Sequence, residues 1–314
     1  MPARAGQNPP SATAVQELEK AQRPIRVGVQ LVNLYATVRD KDRRLLADLT
    51  QQDFKVSEDG KEQKIEFFSR EVNLPLTFGM LIDTSPSQER VLMAEQDAGE
   101  RFLRRVLRKG DLVFVISFDI DVDLLSDLTG DHAALVRAIS RARIFAPRAP
   151  GGVQGPFPQS GPKGTRLYDA IYLACKEKLA AEAGRKALIV LTDAVDAGSQ
   201  VEMEEALEVA QRTDTVIHII GVADYGFYGL GGYSGEGVAK KLAEQTGGRS
   251  IFVRNEKTLE EAFDQISEEL RSQYTLGYYP SNTTRDGKFR KIEVKTTRAG
   301  ARVLARKGYY APVK

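Results

Sequence analysis

The chain has 314 residues, 45 of them basic and 43 acidic, for a formal net charge of +2. That near-balance gives no reason to expect nucleic acid or an anionic membrane as a partner. The single cysteine, Cys175, excludes an internal disulfide, and with His132 and His218 the only histidines a Cys/His zinc site cannot be assembled.

Residues 1–23 are polar, contain Pro9-Pro10 and read as a disordered tail. They lack the apolar core of a signal peptide, so the compartment stays open between the cell interior and an exported chain without its leader. No run reaches the roughly 18 apolar residues of a membrane helix. From Ile25 the pattern changes: Val27, Val29 and Leu31 alternate with Arg26, Gly28 and Gln30, as in a half-buried strand. The strand continues over residues 34–39. Residues 54–56 lead into the hairpin signal Glu58-Asp59-Gly60-Lys61 and on to Ile65, Phe67 and Phe68. Residues 24–73 thus form a small antiparallel β unit, too short to close a core alone.

Past Pro75 the rhythm becomes strand–helix. A strand is expected over 76–82 and a helix over 88–108, with Leu92, Phe102, Leu103, Val106 and Leu107 on its buried stripe. The near-continuous apolar run 112–118 suits a parallel sheet covered on both faces. A short strand at 122–125, a helix at 132–143, a helix running to Lys178, a strand at 186–191, a helix at 203–211 and a strand at 216–222 follow. Then come a helix at 238–246, a strand at 250–253 and a helix at 258–272. Roughly six strands interleaved with helices predict an α/β fold with a doubly wound, mostly parallel sheet and helices on both faces. Two stretches break the rhythm: 144–164, with five Pro and five Gly, and the Gly- and Tyr-rich 223–237. The first is expected to be a functional or a disordered loop and the second a mobile or recognition loop, and in the binding reading given below the two set specificity. Residues 273–314 return to β at 274–279, 289–296 and 301–310. They are expected to pair with 24–73 into one small antiparallel β domain around the α/β unit at 74–272.

The first strand of the α/β unit ends Leu81-Ile82-Asp83-Thr84-Ser85-Pro86-Ser87. In an extended segment residues i, i+2 and i+4 point the same way, so Asp83, Ser85 and Ser87 can face one point. One carboxylate and two hydroxyls suit a hard divalent cation such as Mg²⁺. The alternative reading is helix capping by Asp83 and turn chemistry around Pro86. Two later segments end in the same kinds of group: Gly164-Thr165, opening a helix, where Thr165 could also serve as N-cap, and Leu191-Thr192-Asp193.

An Asp-x-Ser-x-Ser, a later Thr at a helix start and a later Thr-Asp, in that order on an α/β alternation, resemble the von Willebrand factor A domain and its metal-ion-dependent adhesion site. The resemblance covers about residues 74–272. The flanks, with Asp53-Phe54-Lys55-Val56-Ser57-Glu58-Asp59-Gly60 and Tyr274-Thr275-Leu276-Gly277-Tyr278-Tyr279, look like a bacterial subgroup of such proteins. The resemblance implies that Ser85, Ser87 and Thr165 bind Mg²⁺ (or Mn²⁺ or Ca²⁺) directly and that Asp83 and Asp193 hold it directly or through water. A sixth position is then left for the Asp or Glu carboxylate of a protein partner. Neutral hydroxyls leave most of the 2+ charge uncompensated, which favours such a ligand. They also imply weak metal binding alone, on the order of 10⁻⁴–10⁻³ M. The resemblance favours a periplasmic or secreted protein and a non-enzymatic, adhesion-type function. The family usually has Gly after the Thr-Asp, where this chain has Ala194.

The rival reading is a metal-dependent hydrolase of phosphoesterase type. Aspartyl-nucleophile phosphatases carry a second Asp at i+2 as acid/base, and that position is Ser85 here. Asp119, Asp121 and Asp123 lack the Gly and distant Glu of a calcium loop and read as a solvated edge. Asp169 and Asp196 read as solvated or capping. Gly229 and Gly231 are misplaced for a dinucleotide fingerprint. His218 and Cys175 read as core residues.

Overall fold

The computed structural model describes residues 31–42, 44–70, 74–144, 164–222 and 235–313. The expected tail, the strand positions Ile25, Val27 and Val29, and nearly all of the stretches 144–164 and 223–237, including Gly229 and Gly231, lie outside these residues.

The central element is a six-stranded sheet. Its strands are β5 (Leu76–Asp83), β6 (Leu112–Phe118), β7 (Val122–Thr129), β8 (Arg185–Thr192), β9 (Thr215–Val222) and β10 (Ser250–Val253), in spatial order β10-β9-β8-β5-β6-β7. Every neighbouring pair is parallel except β6–β7. The sheet is therefore α/β and mostly parallel, with an antiparallel edge. Strands β5 and β9 are buried at every position, as the continuous apolar runs require.

Helices cover both faces. On one lie α1 (Leu92–Val106), α2 (His132–Ile139) and α6 (Glu256–Arg271), packing Leu92, Phe102, Leu135, Phe263 and Ile266 onto Phe78, Met80 and Ile82. On the other lie α3 (Leu167–Leu173), α4 (Met203–Arg212) and α5 (Glu236–Thr246), packing Ile171, Ala206, Ala210 and Leu242 onto Leu81, Leu188 and Ile217. The first helix starts later than expected, because Pro86 opens a 3₁₀ turn at Pro86–Gln88; it stops at Val106, leaving Leu107 as its cap. The helix expected over 132–143 ends at Ile139. The helix expected to run to Lys178 is α3 followed by a π turn at Ala174–Leu179. Cys175 is buried in that turn, and burial pushes its thiol up to about 12.

Two further four-stranded sheets come from the chain ends. The remaining strands are β1 (Val32–Arg39), β2 (Phe54–Glu58), β3 (Lys61–Gln63), β4 (Ile65–Arg70), β11 (Tyr274–Tyr278), β12 (Phe289–Thr296), β13 (Arg302–Leu304) and β14 (Gly308–Tyr310). They are ordered β13-β1-β11-β4 and β14-β12-β2-β3. N-terminal β1 pairs with C-terminal β11 and β13, and β2 pairs with β12. Asp59-Gly60 turns the β2–β3 hairpin with φ of 47° and 81°, the left-handed pair of a tight two-residue loop. The segment 301–310 holds two short strands instead of one. Leu34, Phe54, Val56, Ile65, Tyr274, Leu276 and Ile292 fill the space between the sheets. Within that core Glu58 accepts hydrogen bonds from the hydroxyls of Tyr278 (2.7 Å) and Tyr309 (3.1 Å).

Buried charge joins the β layers to the α/β layers. Glu269 on α6 accepts from Arg39 Nε of β1 at 2.9 Å and from Arg249 Nε at 2.7 Å. His218, at the middle of β9, places Nδ1 3.8 Å from the same carboxylate. Within the α/β layers, Asp111 accepts from the Leu76 backbone at 2.9 Å and pairs with Arg271 at the end of α6.

His218 carries a pH prediction. Burial, against the pull of Glu269, lowers its pKa from 6.5 to about 4. The folded protein holds it neutral while the unfolded chain protonates below about 6.5. Its contribution is constant above that pH and is lost as pH falls toward 4, by about 3 kcal/mol in all. Wild type should therefore lose stability relative to His218→Leu between pH 6.5 and 4. Denaturant unfolding of both proteins at four pH values checks this; parallel curves would refute it.

Candidate metal centre

The strand order reverses between β5 and β8: the chain steps from β5 to β6 on one side, then returns to β8 on the other and continues to β9. Open α/β sheets bind ligands in the crevice beyond the carboxyl ends of their strands at such a switch point. Asp83 is the last residue of β5, Asp193 follows β8, and Ile82 pairs with Leu191 one row below.

Four of the five predicted residues are tied by hydrogen bonds. Ser87 Oγ donates to Asp193 Oδ2 at 2.7 Å, and Ser85 Oγ lies 3.0 Å from Ser87 Oγ. Asp83 Oδ1 accepts the backbone N–H of Ser85 at 2.9 Å, and Asp83 Oδ2 accepts from Thr192 Oγ1 at 2.6 Å. All four side chains are buried. Ser87 does not reach the cluster by strand alternation. Ser85 is extended, with φ −66° and ψ 158°, but Pro86 and Ser87 lie in the 3₁₀ turn, so the turn rather than the strand pleat brings the second hydroxyl to the first.

Thr165 is buried and pinned from two sides. Its carbonyl accepts the N–H of Ala197 at 3.0 Å, and the N–H of Arg166 donates to the Asp119 carbonyl at 2.8 Å. It does not cap α3, because the cap position falls on Arg166. The first free N–H groups of that helix go instead to Ser199 Oγ (3.0 Å from Tyr168 N, 3.1 Å from Asp169 N), with Asp196 Oδ1 3.3 Å from Tyr168 N. Asp196 thus caps in partnership with Ser199, which donates to it at 2.6 Å. Asp169, expected to be solvated or capping, is buried and accepts the N–H groups of Gln200 (2.9 Å) and Val201 (3.0 Å). It fastens the loop beyond Asp193. Asp119 is half-buried and accepts from Thr84 Oγ1 at 2.9 Å, so it braces the β5 end rather than lining a solvated edge.

The electrostatics are one-sided. Burial and then the charge of Asp193 push the Asp83 carboxyl from 3.8 up to about 7. Among the described residues no basic side chain contributes to that shift, and a dry, unpaired carboxylate costs several kcal/mol. The donor set, two carboxylates with serine and threonine hydroxyls, is entirely oxygen, as hard cations prefer. Among the described residues no three Asp, Glu, His or Cys side chains converge as a cage for a metal, so any cation here depends on the hydroxyls. Mg²⁺ fits these residues by the chemistry of their oxygens.

Three residues beyond the five predicted ones bear on this site, two through contacts and Glu95 through the charges of Asp83 and Asp193. Thr192 donates to Asp83 and accepts the N–H of Ala194 at 3.0 Å, bridging the two strand ends. Its signal was its place before Asp193. Glu95 was marked by its position on the apolar stripe of α1, three residues from both Leu92 and Ala98. Gly235 left no signal, since its partner is distant in sequence.

Ala194 adopts φ 58°, the left-handed region that costs a non-glycine residue about 1 kcal/mol; the loop keeps its path at that cost. Gly235 packs against this loop so closely that a Cβ would lie 2.0 Å from the Asp193 carbonyl oxygen. Gly235→Ala should displace Asp193, lower stability by about 1–3 kcal/mol and weaken Mg²⁺ binding. Melting curves and calorimetry check both, and unchanged metal affinity would show that the loop yields elsewhere.

No protein-family model and no curated protein matches the sequence. Among solved structures, a von Willebrand factor type A protein from Catenulispora acidiphila aligns over 92% of this chain and 76% of its own, with a TM-score of 0.50 and 13% identity. Proximal thread matrix protein 1 from the mussel byssus, in a structure with a zinc-occupied MIDAS motif, aligns with a TM-score of 0.51 and 14% identity. That match covers 68% of this chain and 49% of the mussel protein, so the chain spans about half of it. At such identities the likeness is one of fold. In fold, with its six-stranded mostly parallel sheet between two helical layers, the chain is similar to these von Willebrand factor type A structures.

Proposed function

We propose that this chain is a non-catalytic, adhesion-type binding module that captures an Asp or Glu of a protein partner through a divalent cation, Mg²⁺ first, held by Asp83, Ser85, Ser87, Thr165 and Asp193. The observation that supports the proposal is a buried oxygen cluster at the switch point with two carboxylates and, among the described residues, no basic group acting on Asp83. A bound dication supplies the missing positive charge and a Lewis-acid position for an incoming carboxylate. The site residues have distinct tasks. Thr192 orients Asp83, Asp193 orients Ser87, and the Ala197–Thr165 bond holds the third hydroxyl's segment beside the Asp193 loop.

The mussel protein's site is named as zinc-occupied; here the absence of nitrogen and sulfur donors in the set favours Mg²⁺ or Mn²⁺. In the proposed organisation residues 74–272 form the binding module. Residues 24–73 and 273–314 form the β platform that carries it. Among the described residues no helix is long and apolar enough to cross a membrane.

Calorimetry with Mg²⁺ and Mn²⁺, alone and with an Asp- or Glu-containing peptide, tests the proposal. Metal-dependent peptide binding, abolished by EDTA and by Asp83→Ala in a folded protein, is expected. No metal heat, or peptide binding equal in EDTA, would end it. Asp83-dependent turnover of a phosphoester would favour the hydrolase.

A further inference from the structure

Glu95 lies in the first turn of α1, on the side that carries Leu92, Ala98 and Phe102 into the core. Its side chain is fully buried, and neither carboxyl oxygen has a hydrogen-bond partner. Gln88, in the 3₁₀ turn directly after Ser87, is also fully buried, and its Oε1 has no partner. Gln88 Nε2 reaches Ser87 Oγ only at 3.5 Å, the outer limit of a hydrogen bond. Three buried acceptor oxygens therefore stand with no donor among the described residues, that of Gln88 directly beside Ser87 and those of Glu95 in the first turn of the helix that follows.

The charges that act on Glu95 are those of Asp83 and Asp193, both at the candidate centre, and after burial they raise its carboxyl well above the usual range. A helix position that faces a core ordinarily takes an apolar residue, and an unpaired carboxyl there costs several kcal/mol. The missing counterpart is a set of donors or a positive charge. Among the described residues Asp, Glu, His and Cys side chains do not converge as a cage, which points to an outer role for Glu95 rather than shared ligation.

We infer that Glu95 and Gln88 form an inner tier of acceptors that binds the water molecules on the inward side of the cation and so sets the site's metal affinity. This rests on the metal reading above. Water polarised by a dication is a strong O–H donor and needs two to four polar partners in a buried setting. Gln88 and Glu95 would supply buried acceptors to water held by the cation. Both are positioning residues, acting on the metal through its water.

The test uses the full chain as wild type, Glu95→Gln, Glu95→Met and Gln88→Met, with calorimetric Mg²⁺ and Mn²⁺ titrations and melting curves in EDTA. Loss of an outer-shell partner typically weakens metal binding about 10–100-fold. Glu95→Met should show a loss of that size while melting higher than wild type without metal, because a dry carboxyl has been replaced by an apolar side chain. Glu95→Gln, which keeps one acceptor, should lose less. Gln88→Met should weaken affinity in the same direction, and it serves as the readout if Glu95→Met does not fold. Metal affinity unchanged in Glu95→Met, or in Gln88→Met where that is the readout, would overturn the inference and leave the metal reading standing. No metal heat in wild type would overturn both.

Discussion

Asp83→Asn should be more stable than wild type in EDTA at pH 8 and less stable than wild type in saturating Mg²⁺. The first half follows from burial. Asp83 is fully buried, with Asp193 close enough to oppose its ionisation, and its pKa rises from 3.8 to about 7. A folded-state pKa above the unfolded one means stability that is complete below about pH 4 and lost as pH climbs through 7. The whole span is worth about 4 kcal/mol. Asn at this position has no charge to bury. Its Oδ1 can still accept the N–H of Ser85, and its amide can donate to the Thr192 hydroxyl, so both hydrogen bonds of Asp83 have successors. The advantage of Asp83→Asn in EDTA should shrink steadily from pH 8 to pH 5.

The second half follows from linkage. A ligand that binds only the folded state stabilises it by RT ln(1 + [L]/Kd), about 2.7 kcal/mol at a hundredfold excess over Kd. Wild type should gain this in Mg²⁺, and the variant, stripped of one carboxylate, should gain little. Paired melts in EDTA and Mg²⁺ at pH 8 give both signs at once. A variant that melts below wild type in EDTA would mean that Asp83 acts as a structural cap, and a variant that responds fully to Mg²⁺ would mean that the cation sits elsewhere.

How much of this was legible in the chain divides along a physical line. The buried strands were legible because a parallel sheet covered on both faces demands unbroken apolar runs, and the runs ending at Ile82, Phe118, Leu191 and Val222 have few other uses. Asp83, Ser85 and Ser87 were legible as a group because they share one segment, although Pro86 changes how Ser87 gets there. Helix ends were less legible, since Pro86 and the turn after Ile139 shorten helices whose apolar pattern runs on.

What stayed hidden depends on partners distant in sequence. Nothing local to Gly235 says that it meets the Asp193 carbonyl. Nothing local to Asp169 says that Gln200 and Val201 will donate to it. Glu95 is the intermediate case: its spacing from Leu92 and Ala98 marks it as inward-facing, but only the fold places the field of Asp83 and Asp193 on it. Charge at a stripe position is the signal to follow in such helices.

The second large effect lies away from the metal centre, at Glu269. Its carboxylate is nearly inaccessible and accepts from Arg39 and Arg249 at 2.9 and 2.7 Å. Arg39 belongs to β1 and Glu269 to α6, so this contact crosses from the β platform to the α/β layers. Glu269→Ala leaves the buried Arg39 guanidinium and the half-buried Arg249 without that carboxylate. Breaking a buried pair by removing one member typically costs about 3–5 kcal/mol, because the remaining charge stays in a low-dielectric setting. The loss should appear as a lower denaturation midpoint and as earlier amide exchange in β1 and α6 than in β5 and β8, which Glu269 does not touch. Glu269→Gln keeps an acceptor for one arginine and should lose less. A uniform drop in protection across all strands would instead show that the two layers unfold as one cooperative unit, with Glu269 stabilising the whole rather than the seam. Binding offers the complementary check. Asp83, Ser85, Ser87 and Asp193 are held by their own hydrogen bonds, so Glu269→Gln, still folded, should bind Mg²⁺ with wild-type affinity even as its β platform loosens.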